Sequence, residues 1–260
     1  MIANTQARWS SVPAFAGLDD VSLRRIGAAG HPHAFQAGAE IFCEGTACAG
    51  LHIVTEGLVR IYRISPEGRM HTLSLLRPPA TFNEVAAVDG ASNPYNAVAV
   101  TASEVVIISH HALVELLAAD SAFMARTLQW MARVNRDYIE RLEDMTFRSI
   151  PSRLAKLYLH ETTYADQIGE SPSRLSQEEI AAILGTTREV VGRALRALLN
   201  AGLLKKRGRL CLSRIARGWR ALPSRTSCQR RSLSVNGRRL QNRHRKVTLG
   251  RRPNAAGGRR

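Results

Sequence analysis

The sequence has 260 residues, of which 45% are hydrophobic, so the chain can bury a sizeable core and does not have the composition of a disordered protein. No apolar run reaches the ~18 residues needed to span a bilayer. Residues 1–10 also lack the charged and then apolar pattern of a secretory signal, so we expect a cytoplasmic protein with no membrane contact. A formal net charge of +16 favours a nucleic-acid partner if the charge lies where a binding surface needs it.

The positive charge is concentrated towards the C-terminus. Residues 1–150 carry 12 lysines and arginines against 15 acidic residues, residues 151–213 carry 10 against 6, and residues 214–260 carry 15 against none. A phosphate backbone would repel the first segment and attract the second. Residues 221–260 lack an apolar period and are expected to be disordered. They are either a basic arm that adds salt-sensitive DNA affinity or an extension without function, and we favour the second interpretation.

The four cysteines are expected to be reduced thiols, because the cytosol keeps thiols reduced. They are Cys43, Cys48, Cys211 and Cys228. We therefore predict no structural disulfide.

The first 110 residues predict a short helical lead-in and then a β-domain. Asp19 or Asp20 is placed to cap a short helix. Strand-like apolar runs follow at 51–54, 58–64, 72–76 and 105–108, with glycines between them. Pro66-Glu67-Gly68 predicts a hairpin turn between two of these runs. Many short strands separated by glycines are typical of a sandwich or a barrel.

The apolar period changes after Ala112. Apolar residues then recur at steps of three and four residues with no glycine or proline among them: Leu128, Met131, Val134, Tyr138, Leu142 and Met145. This pattern predicts one long amphipathic helix over residues 120–149. Such a helix can pack on its own barrel or pair with a twin, and the length of the seam favours a homodimer. Pro151 should end the helix or bend the chain, which makes a hinge there.

A helix-turn-helix is predicted near the C-terminus. Ser176-Gln-Glu-Glu179 is a capping box, in which the serine hydroxyl and the glutamate carboxylate satisfy free amides at the start of a helix. Gly185 then turns the chain, and Thr186 or Thr187 caps a second helix that runs from residue 188 to about residue 200. Two helices joined by such a short turn are typical of a DNA-binding unit.

The second helix separates into two faces when each residue advances about 100°. Its aliphatic residues cluster on one side, and Arg188, Glu189, Gly192, Arg193 and Arg196 gather on the other. Arginine can bind guanine in the major groove through two hydrogen bonds, glutamate can accept from cytosine, and glycine lets the backbone come close. A solvated charged face is the alternative interpretation, which the capped two-helix frame makes less favourable.

The segment from Leu203 to Leu210 predicts a basic hairpin. Its strands and tip resemble the wing that follows many helix-turn-helix units, with Lys206 and Arg207 placed to meet phosphate. With Thr187 at the start of the second helix, these residues complete the set predicted to bind DNA.

Residues 175–193, Leu-Ser-Gln-Glu-Glu-Ile-Ala-Ala-Ile-Leu-Gly-Thr-Thr-Arg-Glu-Val-Val-Gly-Arg, resemble the helix-turn-helix of the CRP/FNR superfamily of transcription regulators. The Arg-Glu-x-x-Gly-Arg pattern within them is similar to that of the cyclic-AMP-receptor branch. The glycine-spaced runs from Ile41 to Glu84 resemble a cyclic-nucleotide-binding-type β-barrel, and the likeness extends over residues 12–215. It implies that Arg188, Glu189 and Arg193 read base edges and that the DNA site is a palindrome.

The effector cassette departs from the family pattern. Family members that bind cyclic nucleotides resemble one another in a Gly-Glu pair and, further on, an arginine that clamps the phosphate. Here Asn83-Glu84 keeps only the glutamate, Asn93-Pro-Tyr-Asn96-Ala97 stands where the clamp is expected, and no arginine occurs between Arg77 and Arg126. A buried phosphate needs a cationic or amide-rich partner, so ordinary cyclic AMP binding is not expected. Glu84 is either a structural carboxylate or, with Asn83 and Asn96, a contact to an unidentified small-molecule effector.

Other cofactors have weak support. An iron–sulfur cluster needs four thiolates, and the sensor has only Cys43 and Cys48. Haem ligation by His52, His71 or a cysteine has no supporting motif. We predict no metal site and no catalytic residues, because the chain has no Walker A loop, dinucleotide fingerprint, His-Glu-x-x-His or nucleophile elbow.

These observations predict an α+β chain in four parts: a sensor β-barrel (jelly roll) with its lead-in over 1–119, a dimerisation helix over 120–149, a winged helix-turn-helix over 150–220 and the basic tail over 221–260. The predicted function is a homodimeric regulator that binds double-stranded DNA and acts on RNA polymerase. The alternative is a ligand-binding signalling module that contacts protein partners and has no operator.

Overall fold

The computed structural model describes residues 9–168, 175–207 and 211–213. The helices are α1 (Asp20–Ala29), α2 (Glu84–Asp89), α3 (His110–Ala119), α4 (Ser121–Phe147), α5 (Ile150–Ile168), α6 (Gln177–Leu184) and α7 (Arg188–Asn200). The strands are β1 (Gly30–Phe35), β2 (Glu40–Phe42), β3 (Gly50–Glu56), β4 (Val59–Ile64), β5 (Met70–Leu76), β6 (Ala80–Phe82), β7 (Asn96–Ala99), β8 (Ser103–Ser109), β9 (Lys205–Arg207) and β10 (Cys211–Ser213). The predicted tail at 221–260 lies outside the described residues.

The N-terminal strands form two four-stranded antiparallel sheets. Their strand orders are β1-β8-β3-β6 and β2-β7-β4-β5. Apolar side chains from both sheets, among them Val54, Ile61 and Val105, pack between them in one cluster. The domain is therefore a jelly roll whose sheets face each other, and the predicted barrel is not closed by hydrogen bonds between the sheets.

Two positions in this domain, one in a turn and one at the start of a strand, depend on glycine. At Gly68, φ is +76° and the amide donates to the Ser65 carbonyl at 2.8 Å, so the predicted turn after Pro66 joins β4 to β5. At Gly50, φ is +139° and a Cβ would come within 1.9 Å of the Ile108 carbonyl oxygen. Only glycine allows β3 to approach β8 so closely at this point.

The lead-in covers the outer side of the first sheet. Phe15, Ile26 and Phe123 are almost completely buried there and pack with Val106 and Ile108 of β8. Asp19 caps α1 by accepting from the Ser22 amide at 2.8 Å, which confirms one of the two predicted caps. The start of the long helix is thus fixed to the sensor.

The long helix α4 has 27 residues and begins at its N-cap Asp120, whose side chain accepts from the Phe123 amide. Of these 27 residues only Phe123 is buried within the chain. The helix ends at Phe147, and Pro151 lies in the first turn of α5, where its missing N–H removes no helical hydrogen bond. The predicted break is therefore present, but the chain resumes a helix at once.

The C-terminal domain has its own core. Leu154 and Ala155 of α5 pack with Ile180 and Leu184 of α6 and with the buried face of α7. The sequence analysis did not predict α5, although it supplies one wall of this core. No helix in the described part of the chain combines the length and the apolar character that crossing a membrane requires.

Candidate DNA interface and sensor pocket

The first helix of the predicted helix-turn-helix is capped as its residues require, whereas the second has no side-chain cap. The Ser176 hydroxyl accepts from the Glu179 amide at 3.1 Å, and the Glu179 carboxylate accepts from the Ser176 amide at 2.8 Å, so both halves of the capping box form. Gly185 takes the left-handed conformation that ends α6. Thr187 is the N-cap of α7, but its side chain accepts no hydrogen bond from the helix amides.

The second helix, α7, presents two distinct faces. Val191, Ala194 and Leu198 are buried in the domain core. On the opposite side the four charged residues, Arg188, Glu189, Arg193 and Arg196, are exposed. Gly192 lies between them and is half-buried, with space for a Cβ only 3.4 Å from the Gln177 side chain. The guanidinium groups are thus free to approach a partner.

One arginine of this face is paired with an acidic residue of the neighbouring helix α6. Arg188 lies 3.7 Å from Glu178, and both side chains are mostly in solvent, so the pair is weak. The pKa of Glu189 is lowered first by its own backbone amide, then by a hydrogen bond from the Thr187 side chain and by the charges of Arg188 and Arg193. Glu189 therefore stays ionised and can only accept hydrogen bonds.

The wing is a two-stranded antiparallel hairpin. Strand β9 carries Lys206 and Arg207, and Arg207 pairs with Cys211 of β10. The side chains of these residues and the hairpin tip at 208–210 lie outside the described residues. The backbone alone shows that the predicted hairpin follows α7 directly.

The helix-turn-helix is held against the sensor through α6. Arg60 of β4 forms an ion pair with Glu179 at 3.1 Å, and His71 of β5 donates from Nδ1 to the Ala182 carbonyl at 2.9 Å. Glu179 thus serves both its helix cap and a contact to the sensor. A cleft of about 650 Å³ lies beside these contacts, between β5, α4, α5 and α6. Through the contacts of Arg60 and His71 with α6, a movement of β4 or β5 would also move the helix-turn-helix.

The predicted effector residues Asn83 and Glu84 lie where β6 meets α2. Asn83 has φ of +65°, the left-handed conformation that asparagine tolerates better than most residues, so the turn is formed without the family glycine. The Glu84 carboxylate accepts from the Thr81 hydroxyl at 2.6 Å and from the Trp130 indole at 3.4 Å. Glu84 therefore links the sensor to the long helix α4.

The segment that replaces the phosphate clamp is bound to its own domain. The Tyr95 hydroxyl, almost buried, accepts from the Asn83 amide at 2.7 Å. The Asn93 amide group donates to the Thr46 hydroxyl at 3.0 Å, and the Asn96 side chain accepts from the Glu44 amide at 2.9 Å. Sequence analysis named Asn96 but not Tyr95 or Trp130. These two contacts join distant segments, and the sequence itself carries no periodic signal for them.

His52, which the sequence analysis considered as a haem ligand, is packed in the interior of the sensor. The His52 ring is 1% exposed and lies between Phe42 and Phe82, with both ring centroids 5.0 Å away. Its Nδ1 donates to the Gly50 carbonyl at 2.9 Å. Among the described residues, no three histidine, cysteine or acidic side chains are grouped as metal ligands.

The two sensor cysteines are free thiols. The pKa of Cys48 is raised by burial, and that of Cys43 by desolvation and by the nearby carboxylate of Glu40. A raised pKa leaves less thiolate, so neither residue has the environment of a reactive cysteine. The side chains of Cys211 and Cys228 lie outside the described residues.

Two protein-family models match the chain. The cyclic nucleotide-binding domain matches residues 32–120, and the Crp-like helix-turn-helix domain matches residues 152–217. The chain belongs to the CRP/FNR superfamily of transcription regulators. It is accordingly a DNA-binding transcription regulator of the CRP/FNR type, and this family is not one of enzymes. The alternative function, a ligand-binding signalling module that has no DNA operator, is therefore not supported.

Relatives of this CRP/FNR-type regulator match most of its length. It is 28% identical over 202 residues to the CRP-like cAMP-activated global transcriptional regulator of Mycobacterium tuberculosis, covering 76% of this chain and 90% of that one. It is 28% identical to the cyclic AMP receptor protein of Thermus thermophilus, covering 66% and 78%. Its fold is similar to that of the c-di-GMP-responsive regulator CLP of Xanthomonas campestris, with a TM-score of 0.63 at 21% identity, covering 76% of this chain and 100% of that one.

Proposed function

We propose that this regulator binds a two-fold symmetric DNA site as a homodimer, in the cytoplasm, and places α7 of each copy in the major groove. The observation that carries this proposal is that α7 has an exposed basic face opposite its buried aliphatic face. Arg188, Glu189 and Arg193 are suited to read base edges there, since arginine donates to guanine and ionised glutamate accepts from cytosine. The half-buried Gly192 leaves room for the DNA to approach the backbone of the helix.

The remaining predicted residues are suited to hold the DNA backbone. Thr187 lies at the N-terminus of α7, where the helix amides attract phosphate, and Arg196 extends the exposed face. Lys206 and Arg207 belong to the wing, which we propose contacts phosphate beside the groove. Contacts to phosphate position a protein on DNA without reading sequence.

The homodimer would form through α4, whose apolar seam is exposed in the single chain. A two-fold axis along this helix would place the two copies of α7 about one turn of DNA apart, which predicts a palindromic site. RNA polymerase is the protein partner through which such a bound dimer would change transcription.

We further propose that the effector is not ordinary cyclic AMP. A cyclic phosphate needs a cationic clamp, and residues 78–125 contain no arginine or lysine. The amide of Asn83 is already bound to the Tyr95 hydroxyl, and Asn93 and Asn96 are bound within the domain. The residues of the sensor therefore do not fit this ligand. A different effector bound in the sensor would act on α4 through the hydrogen bond from Trp130 to Glu84.

Selection of bound sequences from random duplexes, followed by affinity measurement on the selected site, tests the proposal. We expect a palindrome, and we expect Arg193→Ala to weaken binding about 10- to 100-fold and to relax base choice at one position of each half-site. Arg133→Ala, at an exposed arginine of α4, is the matched control and should bind like wild type. Cyclic AMP should leave the dissociation constant unchanged. Enrichment of no palindrome, or an unaltered Arg193→Ala, would contradict the proposal.

A further inference from the structure

When Asn135 takes the place of its neighbour Val134, the seam of α4 follows an unbroken heptad with one amide in its middle. Steps of four and three residues lead through Met124, Leu128, Met131, Asn135, Tyr138, Leu142 and Met145. The side chains of Leu128 and Leu142 are 62% and 63% exposed, and Asn135 is exposed between them. Three apolar layers therefore lie on each side of a central asparagine layer, at a position where a coiled coil normally has an aliphatic residue.

Asn135 lies on an exposed side of α4, although Tyr138, Leu142 and Met145 further along the seam also line the cleft beside β5, α5 and α6. Trp130 binds Glu84, Arg141 donates to the Leu73 carbonyl at 2.7 Å, and Asp144 pairs with Lys156. At 100° per residue, these three contacts lie roughly 120–180° around the helix from Asn135. The contacts to the sensor and to α5 thus lie on another side of α4 and leave Asn135 itself exposed.

We propose that Asn135 faces its own copy in a parallel, in-register pair of α4 helices, and that the two side-chain amides hydrogen-bond to each other across the two-fold axis. The inference rests on the homodimer of the proposed function and adds what sets its register. A carboxamide has both a donor and an acceptor, so two copies can satisfy each other. A single asparagine at such a position is known to specify register and two-stranded pairing in coiled coils.

Other arrangements leave the amide unpaired. An antiparallel pair would place Asn135 against Met131 or Tyr138 of the other chain, and a slip of one heptad would place it against Leu128 or Leu142. In these arrangements an amide is buried against apolar groups without a partner, which is unfavourable. Only the parallel pair in register brings amide to amide.

Charges beside the seam do not determine how two α4 helices would pair. The positions that face each other beside the seam in a parallel pair are Thr127 with Ala132, Val134 with Ile139, and Arg141 with Thr146. None of these pairs places like charges together, so self-association is not opposed. None contains an ion pair either, so the choice of register is left to Asn135.

Register matters because it sets where the two helix-turn-helix units stand. A slip of one heptad would shift one copy of α4 by about 10 Å along the other. That is nearly a third of the ~34 Å that separates half-sites one turn apart. A slipped dimer could not place both copies of α7 in successive major grooves.

Disulfide cross-linking of the full-length chain tests the register. Leu142→Cys is oxidised alone, and then after mixing with Leu128→Cys, in both the wild-type and the Asn135→Leu backgrounds. The parent chain without added cysteine provides the baseline for its native thiols. Arg136→Leu, one residue along and off the seam, is the matched control for adding an exposed leucine. Sedimentation gives the oligomeric state and the dimer dissociation constant of each variant.

We expect Leu142→Cys to cross-link to its own copy and not to Leu128→Cys while Asn135 is present. In the Asn135→Leu background, association should tighten roughly tenfold or more, and links between positions 128 and 142 or species larger than dimers should appear. Arg136→Leu should behave like wild type. An Asn135→Leu dimer with an unchanged cross-link pattern would overturn the role of Asn135 while leaving the homodimer intact. A wild-type chain that stays monomeric on its palindromic DNA would instead overturn the homodimer itself.

Discussion

His52 makes the stability of the sensor depend on pH. Its ring is enclosed by Phe42 and Phe82, and desolvation by this burial lowers its pKa from 6.5 to about 4, partly opposed by the hydrogen bond to the Gly50 carbonyl. The imidazole is therefore neutral in the folded sensor at every pH above about 4. In the unfolded chain, by contrast, it takes up a proton near pH 6.5.

The direction of the effect follows from this difference. Between pH 6.5 and 4 the unfolded chain binds a proton that the folded chain does not, so stability falls as the pH falls through this window and levels off below it. The two pKa values correspond to about 3 kcal/mol in total, of which about 2 kcal/mol is lost by pH 5. Above pH 7 the contribution is close to zero.

Urea denaturation at pH 7.5 and pH 5.0 measures this loss. We expect the free energy of unfolding of the wild type to fall by about 2 kcal/mol more than that of His52→Leu over this interval. His31→Leu, at an exposed histidine of β1, is the control for removing a histidine elsewhere in the domain. Titration of the His52 ring protons by NMR gives the pKa directly if the leucine variant folds poorly. Equal losses in wild type and His52→Leu, or a ring that titrates near pH 6.5, would refute the reasoning.

Two further predictions concern the C-terminal domain. Arg77→Ala should destabilise the protein by about 3 kcal/mol, since it leaves the Glu161 carboxylate, only 6% exposed, without its ion pair at 2.8 Å. Denaturation checks this, and the double variant Arg77→Met, Glu161→Leu should recover most of the loss; a silent Arg77→Ala would show that the pair is not desolvated. Ser176→Ala should cost about 1 kcal/mol by removing the cap on the Glu179 amide, whereas Ser176→Asp should keep it. The same denaturation curves decide this prediction, which fails if alanine and aspartate are equivalent.

The parts of the fold that the sequence predicted correctly are those specified by short-range chemistry. The capping box at Ser176, the left-handed turn at Gly185 and the hairpin at Gly68 each depend on residues within a few positions of one another. The aliphatic and basic faces of α7 follow from helical periodicity alone. The same holds for α4, whose seam repeats over many turns.

The features that the sequence analysis missed depend on contacts between distant segments. Helix α5 was not predicted, and its place in the core depends on α6 and α7. The jelly roll itself was predicted, but the strand order of its two sheets was not, because it follows from how strands far apart in sequence pair. The bond of Tyr95 to Asn83 and that of Trp130 to Glu84 decide how the sensor pocket is filled, and neither has a local pattern.

By itself, the sequence determined the long helix α4, the helix-turn-helix and the charged face of α7, because dihedral preferences, caps and periodicity act over a few residues. Only the tertiary structure decided that the Tyr95 hydroxyl accepts from the Asn83 amide, that Arg60 joins α6 to the sensor and that Asn135 of α4 is left exposed. These features depend on which side chains meet after the chain has folded back on itself, and burial, unlike periodicity, cannot be read from neighbouring residues.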